Sequence, residues 1–480
     1  MANHAAPYIF ATSRIALIAE RISDLRQKAE KAGTRPLIRA IHGENDDAQR
    51  GIPVLRQIAD VPTLPTGEEH VVVFITHECM MQADLSHFTG WHIYIDESPA
   101  AVISNAMHVP ATATYLEATY DLFPTTHSKW WRVTPKSSAP NAASIRHDDY
   151  VRDLVTFDKR ARSPQGVHVN VGGWSDVKGS SMPLKWWSAW TPAELSAFKT
   201  VTIAGAGYRH SIGYKAAQAW RADELEFQTE EIAAPERSHR PRVLINYFTC
   251  HRGSTAFWKR DGEHCLSQVG DYLKNIRDLG YWSSNAHVRP YFVGAGLHGE
   301  WISPRQEGTN ALMHHTSCAF IYSSKALPFD GPSMEMFGLK RSDIERAREI
   351  EDIVQFTLRG ALRRSDFDGI YNVYLYDQHQ ANALKEYLEN EGIGIADLVP
   401  VTEAGIMDVE RKKPGPEKKV LDERSQEEIQ ERRRKANTMS KRNARAIERE
   451  QKRSAGILRP RGRPPKHWLE SSGSTPKRPE

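Results

Sequence analysis

The chain has 480 residues, 40% of them hydrophobic and 26% charged, enough for two or three domains with cores of their own. Its formal net charge of +4 hides a division: residues 409–480 hold 22 Lys and Arg against 11 Asp and Glu, a net of +11, leaving −7 on the other 408. No apolar run approaches the roughly 20 residues that cross a bilayer, the opening residues lack the pattern of a secretory leader, and four scattered cysteines (Cys79, Cys250, Cys265, Cys318) exclude a disulfide framework or a zinc ribbon.

Taken in order, Pro7–Thr12 reads as a strand, followed from Ser13-Arg14 to about Lys31 by a helix with Ile15, Ile18, Ile22 and Leu25 on one stripe. Val71–Ile75 and Trp91–Ile95 are continuous β-branched and aromatic runs, the signature of strands buried on both faces of a parallel sheet. The second run ends in Asp96-Glu97. Open α/β sheets place ligand chemistry beyond the carboxyl ends of their strands. In nucleotide hydrolases that position holds one acid for magnesium and one that orients the attacking water. The plainer alternative is a strand end that caps a turn.

Residues 107–195 read as an irregular insertion holding six of the twelve Trp (Trp130, Trp131, Trp174, Trp186, Trp187, Trp190). Such a cluster either builds a small satellite core, the favoured reading, or stacks nucleic-acid bases. Lys199–Gly207 is a strand running into a small-residue turn, and Glu230–Arg242 a polar linker. A second α/β pattern follows, with strands at Val243–Phe248, Val288–Val293, Ser317–Tyr322 and Ile370–Tyr376 and helices at Ser342–Arg364 and His379–Asn390. Gln355, Arg359 and Arg363, spaced i, i+4, i+8, are expected on one helix face, where two arginines suit a phosphate group and an ordinary ion-paired surface is the alternative. From Arg411 onward apolar residues thin out, and the tail is expected to be disordered.

The ordered set of motifs resembles a superfamily 2 helicase. Tyr8–Arg14 is similar to motif Ia, Val73–Glu78 to the following TH-containing motif, Asp96-Glu97-Ser98-Pro99 to the DEAD or DEAH box, Thr202–Gly207 to the coupling motif, Gly308-Thr309-Asn310 to motif V and Gln355–Arg363 to motif VI. In motif VI the second Arg follows the first by four residues, where many members have three. The resemblance spans roughly Pro7–Leu388. It implies two RecA-like domains around an ATP cleft: a first domain over 1–106 and 196–235, split by the insertion at 107–195, and a second over 236–408. Within it, Asp96 would hold Mg2+, Glu97 would orient water, Arg359 and Arg363 would stabilise the transferred phosphoryl group, and Gln355 would contact nucleotide. Gly205, Ala206 and Gly207 would couple the domains, while Thr12, Arg14, Thr76, Thr309 and Asn310 would grip a nucleic-acid strand. In the 409–480 tail, Arg461-Gly462-Arg463-Pro464 resembles an AT-hook, whose arginines enter the minor groove; a generic basic tail binding phosphate is the alternative. DNA is favoured over RNA as partner, with no membrane involved and a cytoplasmic location, or a nuclear one in a eukaryote.

One family part has no counterpart. The chain contains no Gly-Lys dipeptide and hence no GxxxxGK[ST] loop; Gly205–Lys215 has the wrong spacing and comes after the acid pair. The family's phosphate loop lies on the strand–helix unit before motif Ia, so either the coding region starts upstream of Met1 or the protein is a helicase-derived, non-catalytic DNA binder. The 480-residue chain is expected to hydrolyse ATP poorly or not at all. A nuclease using Asp96-Glu97 is a third reading, with no further ordered carboxylates to support it.

Overall fold

The strand-forming runs of the computed structural model gather into three sheets. In chain order the strands are β1 (Pro7–Thr12), β2 (Leu37–Ala40), β3 (Val71–Thr76), β4 (His92–Asp96), β5 (Val102–Met107), β6 (Tyr120–Phe123), β7 (Trp130–Pro135), β8 (Val167–Asn170), β9 (Leu184–Ala189), β10 (Thr200–Ala204), β11 (Arg242–Thr249), β12 (Tyr281–Ser284), β13 (Glu300–Trp301), β14 (Ser317–Ile321), β15 (Ile370–Asp377) and β16 (Ile395–Pro400). The structure describes residues 1–409 except 64–69, 150, 152–153, 180–182, 206, 231, 233–235, 261 and 306–310, together with 431, 434 and 438. The chain divides into two units, Met1–Arg411 and Lys412–Glu480. In the second, Glu431, Arg434 and Thr438 are helical. The expected tail disorder and the AT-hook-like Arg461, Gly462 and Arg463 lie outside the described residues.

The first sheet runs β10-β4-β1-β3-β2, all parallel. Its centre is buried because β3 is Val-Val-Val-Phe-Ile, inaccessible at every position before Thr76. The Ile15–Ala32 helix covers one face, setting Ile18 and Leu25 against Tyr8, Val72 and Phe74. It stops at Gly33, whose left-handed φ of 70° is the usual glycine ending. The opposite face packs Ile9, Ile75, Ile93 and Ile95 with Phe88, Trp190 and Phe198.

The insertion, expected to be irregular, is instead a five-stranded antiparallel sheet in the order β5-β9-β8-β7-β6. Alternation along β9 sends its two tryptophans to opposite sides. Trp186 meets Phe157 in the insertion's own core, whereas Trp187 stacks on His168 at 4.1 Å and meets Trp220 and Phe337 edge-on. Five of the six Trp in this region are buried, so they build cores. Phe337 belongs to the Gly331–Phe337 helix of the second domain, which ties insertion and second domain together through an apolar seam.

The second parallel sheet runs β13-β12-β14-β15-β11-β16. Two expectations fail here. Val288–Val293 is not a strand: Arg289–Ala295 is helical, with Pro in its first turn, where fixed φ favours helix and the missing N–H costs nothing. The strand is the preceding Tyr281–Ser284 run. The single helix expected over 342–364 is broken into Arg341–Glu345, a π turn at Arg346–Ile350, Glu351–Thr357 and a 3-10 turn at Ala361–Arg363.

Candidate functional site

Between the two parallel-sheet domains lies a cavity of ≈ 290 Å³ lined by Arg21, Asp96 and Glu97 from one side and by Arg237, Gln355, Arg359 and Arg363 from the other. Residues more than 250 positions apart thus reach one place, where four arginines and two carboxylates gather. Guanidinium groups at this density favour an anion with several oxygens, each Arg being able to donate two parallel hydrogen bonds.

On the first-domain side, Asp96 ends β4 and is paired with Arg21 of the Ile15–Ala32 helix, Nε to Oδ2 at 3.1 Å. Glu97 is the only non-glycine residue of positive φ, 71°, among the described residues. Holding a Glu there costs about 1–3 kcal/mol and persists only where surroundings enforce it, a pattern concentrated at functional sites. What enforces it is its N–H, which donates to the Ala204 carbonyl of β10 at 2.8 Å. Gly205 then packs so closely that a Cβ would sit 3.2 Å from the Ser98 nitrogen. Gly207 lies against the Glu351 carboxylate of the second domain, which accepts from Gln355 Nε2 at 3.0 Å. The small-residue turn after β10 therefore touches both the acid pair and the helix that presents Gln355; Ala206 is outside the described residues.

On the second-domain side, the three residues expected on one helix face do line the cavity, but not by helical spacing. The helix ends at Thr357, and Gly360 takes an extended conformation before the 3-10 turn that carries Arg363. Two buried tyrosines shape this ending. The Tyr281 hydroxyl donates to the Phe356 carbonyl at 2.9 Å, the Tyr371 hydroxyl lies 3.2 Å from the Thr357 carbonyl, and the two hydroxyls are 2.8 Å apart. They satisfy carbonyls that a helix end leaves without partners, and burial raises both phenols well above their ordinary range. Arg237, from the linker, donates to the Leu362 and Arg364 carbonyls and clamps the same turn. Arg359 is buried, 5% exposed.

Gly360→Ala would drive its Cβ into the immobile Tyr371 ring. Overpacking of this kind costs about 1–3 kcal/mol, so the variant is expected to lose that much in a urea titration and to displace both Arg359 and Arg363. A midpoint equal to wild type would mean the turn is less constrained than its contacts imply.

The residues expected to grip a strand are placed differently from one another. Thr12 is fully buried and its hydroxyl donates to the Arg14 carbonyl at 2.9 Å, so it shapes the turn. Thr76 caps the His77–Gln82 helix, accepting from the Cys79 N–H at 3.3 Å. Arg14 reaches the second domain, donating to the Arg305 carbonyl. Thr309 and Asn310 are outside the described residues. Sequence reasoning missed Arg21, Arg237, Tyr281, Tyr371 and Glu351. Arg21 adjoins the apolar stripe at Ile22, a weak signal; Arg237 sits in a polar linker that offers none.

Among the described residues no group of three or more His, Cys, Asp or Glu is placed to hold a metal. Asp96, already paired with Arg21, fits Mg2+ only as part of a set completed by water and phosphate oxygens, which is how Mg2+ is usually held beside nucleotides. No helix among the described residues is long and apolar enough to cross a membrane.

No family model and no curated protein matches the chain. Similar solved structures include XPD in its apo form (10% identity, 83% of this chain and 98% of that one, TM-score 0.36) and Xpd4 of S. tokodaii (10%, 82% and 90%, 0.38). Another is the DUF1998 helicase MrfA bound to DNA and AMPPNP (11%, 82% and 45%, 0.24). At these TM-scores the likeness bears no functional argument.

Proposed function

We propose that the protein is a superfamily 2 helicase-like, nucleic-acid-binding protein whose two parallel-sheet domains close on a nucleoside triphosphate. The observation that carries this is the convergence of Asp96, Glu97, Gln355, Arg359 and Arg363 on one cavity between the domains. In this reading Arg359 and Arg363 hold the terminal phosphates and Gln355 contacts nucleotide. Glu97, fixed by its strained backbone, orients water. Asp96 would hold Mg2+ after exchanging Arg21 for it, and the ion would neutralise charge on the phosphates. The turn at Gly205 and Gly207 passes the state of the acid pair to Glu351 and Gln355. The basic tail supplies salt-sensitive attraction to DNA, and Arg14 a strand contact near the domain junction.

Removing a charged hydrogen-bond donor costs about 1.5–3 kcal/mol. Arg359→Ala is accordingly expected to weaken binding of a fluorescent ATP analogue by about 10–100-fold, with Glu97→Gln binding as wild type. Equal affinity of Arg359→Ala and wild type would remove the nucleotide reading. The Arg21–Asp96 pair, which occupies the acid that would hold the ion, favours a second reading, a strand-binding protein without turnover. Strand-stimulated hydrolysis that Glu97→Gln abolishes would decide against it.

A further inference from the structure

Arg21 is held at one of its nitrogens and left open at another. It stands on the Ile15–Ala32 helix one turn after Leu17, and both side chains line the cavity between the domains. The helix is fixed in place, with Ile18 and Leu25 packed on the sheet, so any movement belongs to the side chain. Three carboxylates surround its guanidinium. Nε donates to Asp96 at 3.1 Å, while Nη1 lies 3.5 Å from Asp24 and 4.0 Å from Glu20 on the same helix. Nη2 has no hydrogen-bond partner among the described residues. Asp96 is the most enclosed of the three acids, 22% exposed against 49% for Asp24. The lining as a whole sets four arginines against two carboxylates, a net charge of +2 before any metal ion arrives.

These distances give the half-buried guanidinium two roles at once. With Nε on Asp96 it neutralises the acid that Mg2+ would need, and Nη2 is left to donate to an anion in the cavity. Leaving Asp96 does not strand Arg21, because Asp24 is already within ion-pair reach. Mg2+ alone is a weak competitor for Asp96. It requires near-octahedral oxygens and gives up water reluctantly, and among the described residues no group of three or more His, Cys, Asp or Glu is placed to hold it. We infer that Arg21 stands in for the metal ion while the anion binds, so that nucleotide uptake needs no Mg2+, and that Asp96 opens to the ion only once Arg21 has turned to Asp24. The inference deepens the nucleotide reading above and rests on it. Uptake and hydrolysis are thereby separated by one side chain. Sites in which metal ions bridge and neutralise the phosphates lose that charge when the ion is removed; here the guanidinium supplies it.

The test is titration of the full chain with a fluorescent, non-hydrolysable ATP analogue, in EDTA and again in excess Mg2+, followed by anisotropy. Wild type is expected to bind in EDTA, and Mg2+ to change its affinity by less than about threefold. Arg21→Ala is expected to bind about 10–100-fold more weakly in EDTA, the effect of removing a charged donor, and to recover in Mg2+, because Asp96 is then open to the ion. Arg21→Lys keeps the charge without the planar fork and is expected to fall between the two. With the analogue bound, Mn2+ followed by paramagnetic resonance is expected to bind Arg21→Ala more tightly than wild type, a gain that general damage to the helix would not produce. A wild-type affinity that rises about tenfold or more on adding Mg2+ overturns the inference and leaves the nucleotide reading standing. Arg21→Ala binding as wild type in EDTA does the same. No binding of the analogue by wild type in either buffer removes both.

Discussion

Asp330→Ala is expected to lower the stability of the second domain by about 3–5 kcal/mol, the range for removing one partner of a buried ion pair. Asp330 is fully inaccessible. Its two oxygens lie 2.8 and 3.0 Å from the guanidinium nitrogens of Arg348, and one of them also accepts the Leu327 N–H at 2.8 Å. Alanine leaves the Leu327 N–H without its acceptor and the Arg348 charge, whose side chain is only 25% exposed, with little water to meet it. Arg348 stands on the π turn, and Asp330 sits at the start of the Gly331–Phe337 helix. The pair therefore fixes the helix that carries the apolar seam relative to the one that carries Gln355. Urea unfolding of Asp330→Ala, Arg348→Met and the double variant measures this, and the double variant is expected to recover part of the loss because no charge is then stranded. A single-variant loss under about 1 kcal/mol would show the pair to be solvated in practice.

Acid is expected to loosen the insertion through His168. Burial, and secondarily the positive charge of Arg132, push the imidazole down to about 4 from an ordinary 6.5. The folded chain keeps this ring neutral in its stack with Trp187, while the unfolded chain protonates it. Stability from this group is therefore full above pH 6.5 and is lost as pH falls, by about 1.4 kcal/mol per unit. The loss levels off once the folded state itself protonates near pH 4, at roughly 3 kcal/mol in all. His168→Phe keeps an aromatic ring in the stack and is expected to flatten the pH dependence of melting, followed by tryptophan fluorescence between pH 7 and 4.5. A variant as acid-sensitive as wild type would place the sensitivity elsewhere.

The parallel sheets were legible because their strands are continuous apolar runs. Pro7–Thr12 matches the observed strand, and Val71–Ile75 and Trp91–Ile95 match to within a residue at either end; β3 is buried on both faces as expected, whereas β4 alternates buried Ile93 and Ile95 with half-buried His92 and Tyr94. The acid pair was legible for the same reason, as polarity at the end of such a run. The insertion was not. Its strands mix polar with apolar residues, as in Tyr120-Asp121-Leu122-Phe123 and Val167-His168-Val169-Asn170, and pair antiparallel, so neither an unbroken apolar run nor a helical period marks them. Val288–Val293 misled because a short apolar run suits strand or helix equally and only the proline decides. Arg359 and Arg363 reached the cavity for a reason that spacing does not contain. A break at Gly360, held by two tyrosines from β12 and β15, puts Arg363 on a separate 3-10 turn that still lines the cavity. Tertiary contacts of this kind leave no local trace.

The apolar seam between the insertion and the Gly331–Phe337 helix has a mechanical consequence. Trp187 and Phe337 have ring centres 5.2 Å apart, and the Lys129 ammonium lies 2.9 Å from Glu335 at its border. The two parallel-sheet domains are thus joined at a point remote in sequence from their linker, and any movement between them turns about a pinned corner. Displacement grows with distance from that pin. Dyes placed astride the seam would keep a constant separation as the domains move, while a pair spanning them away from it would not.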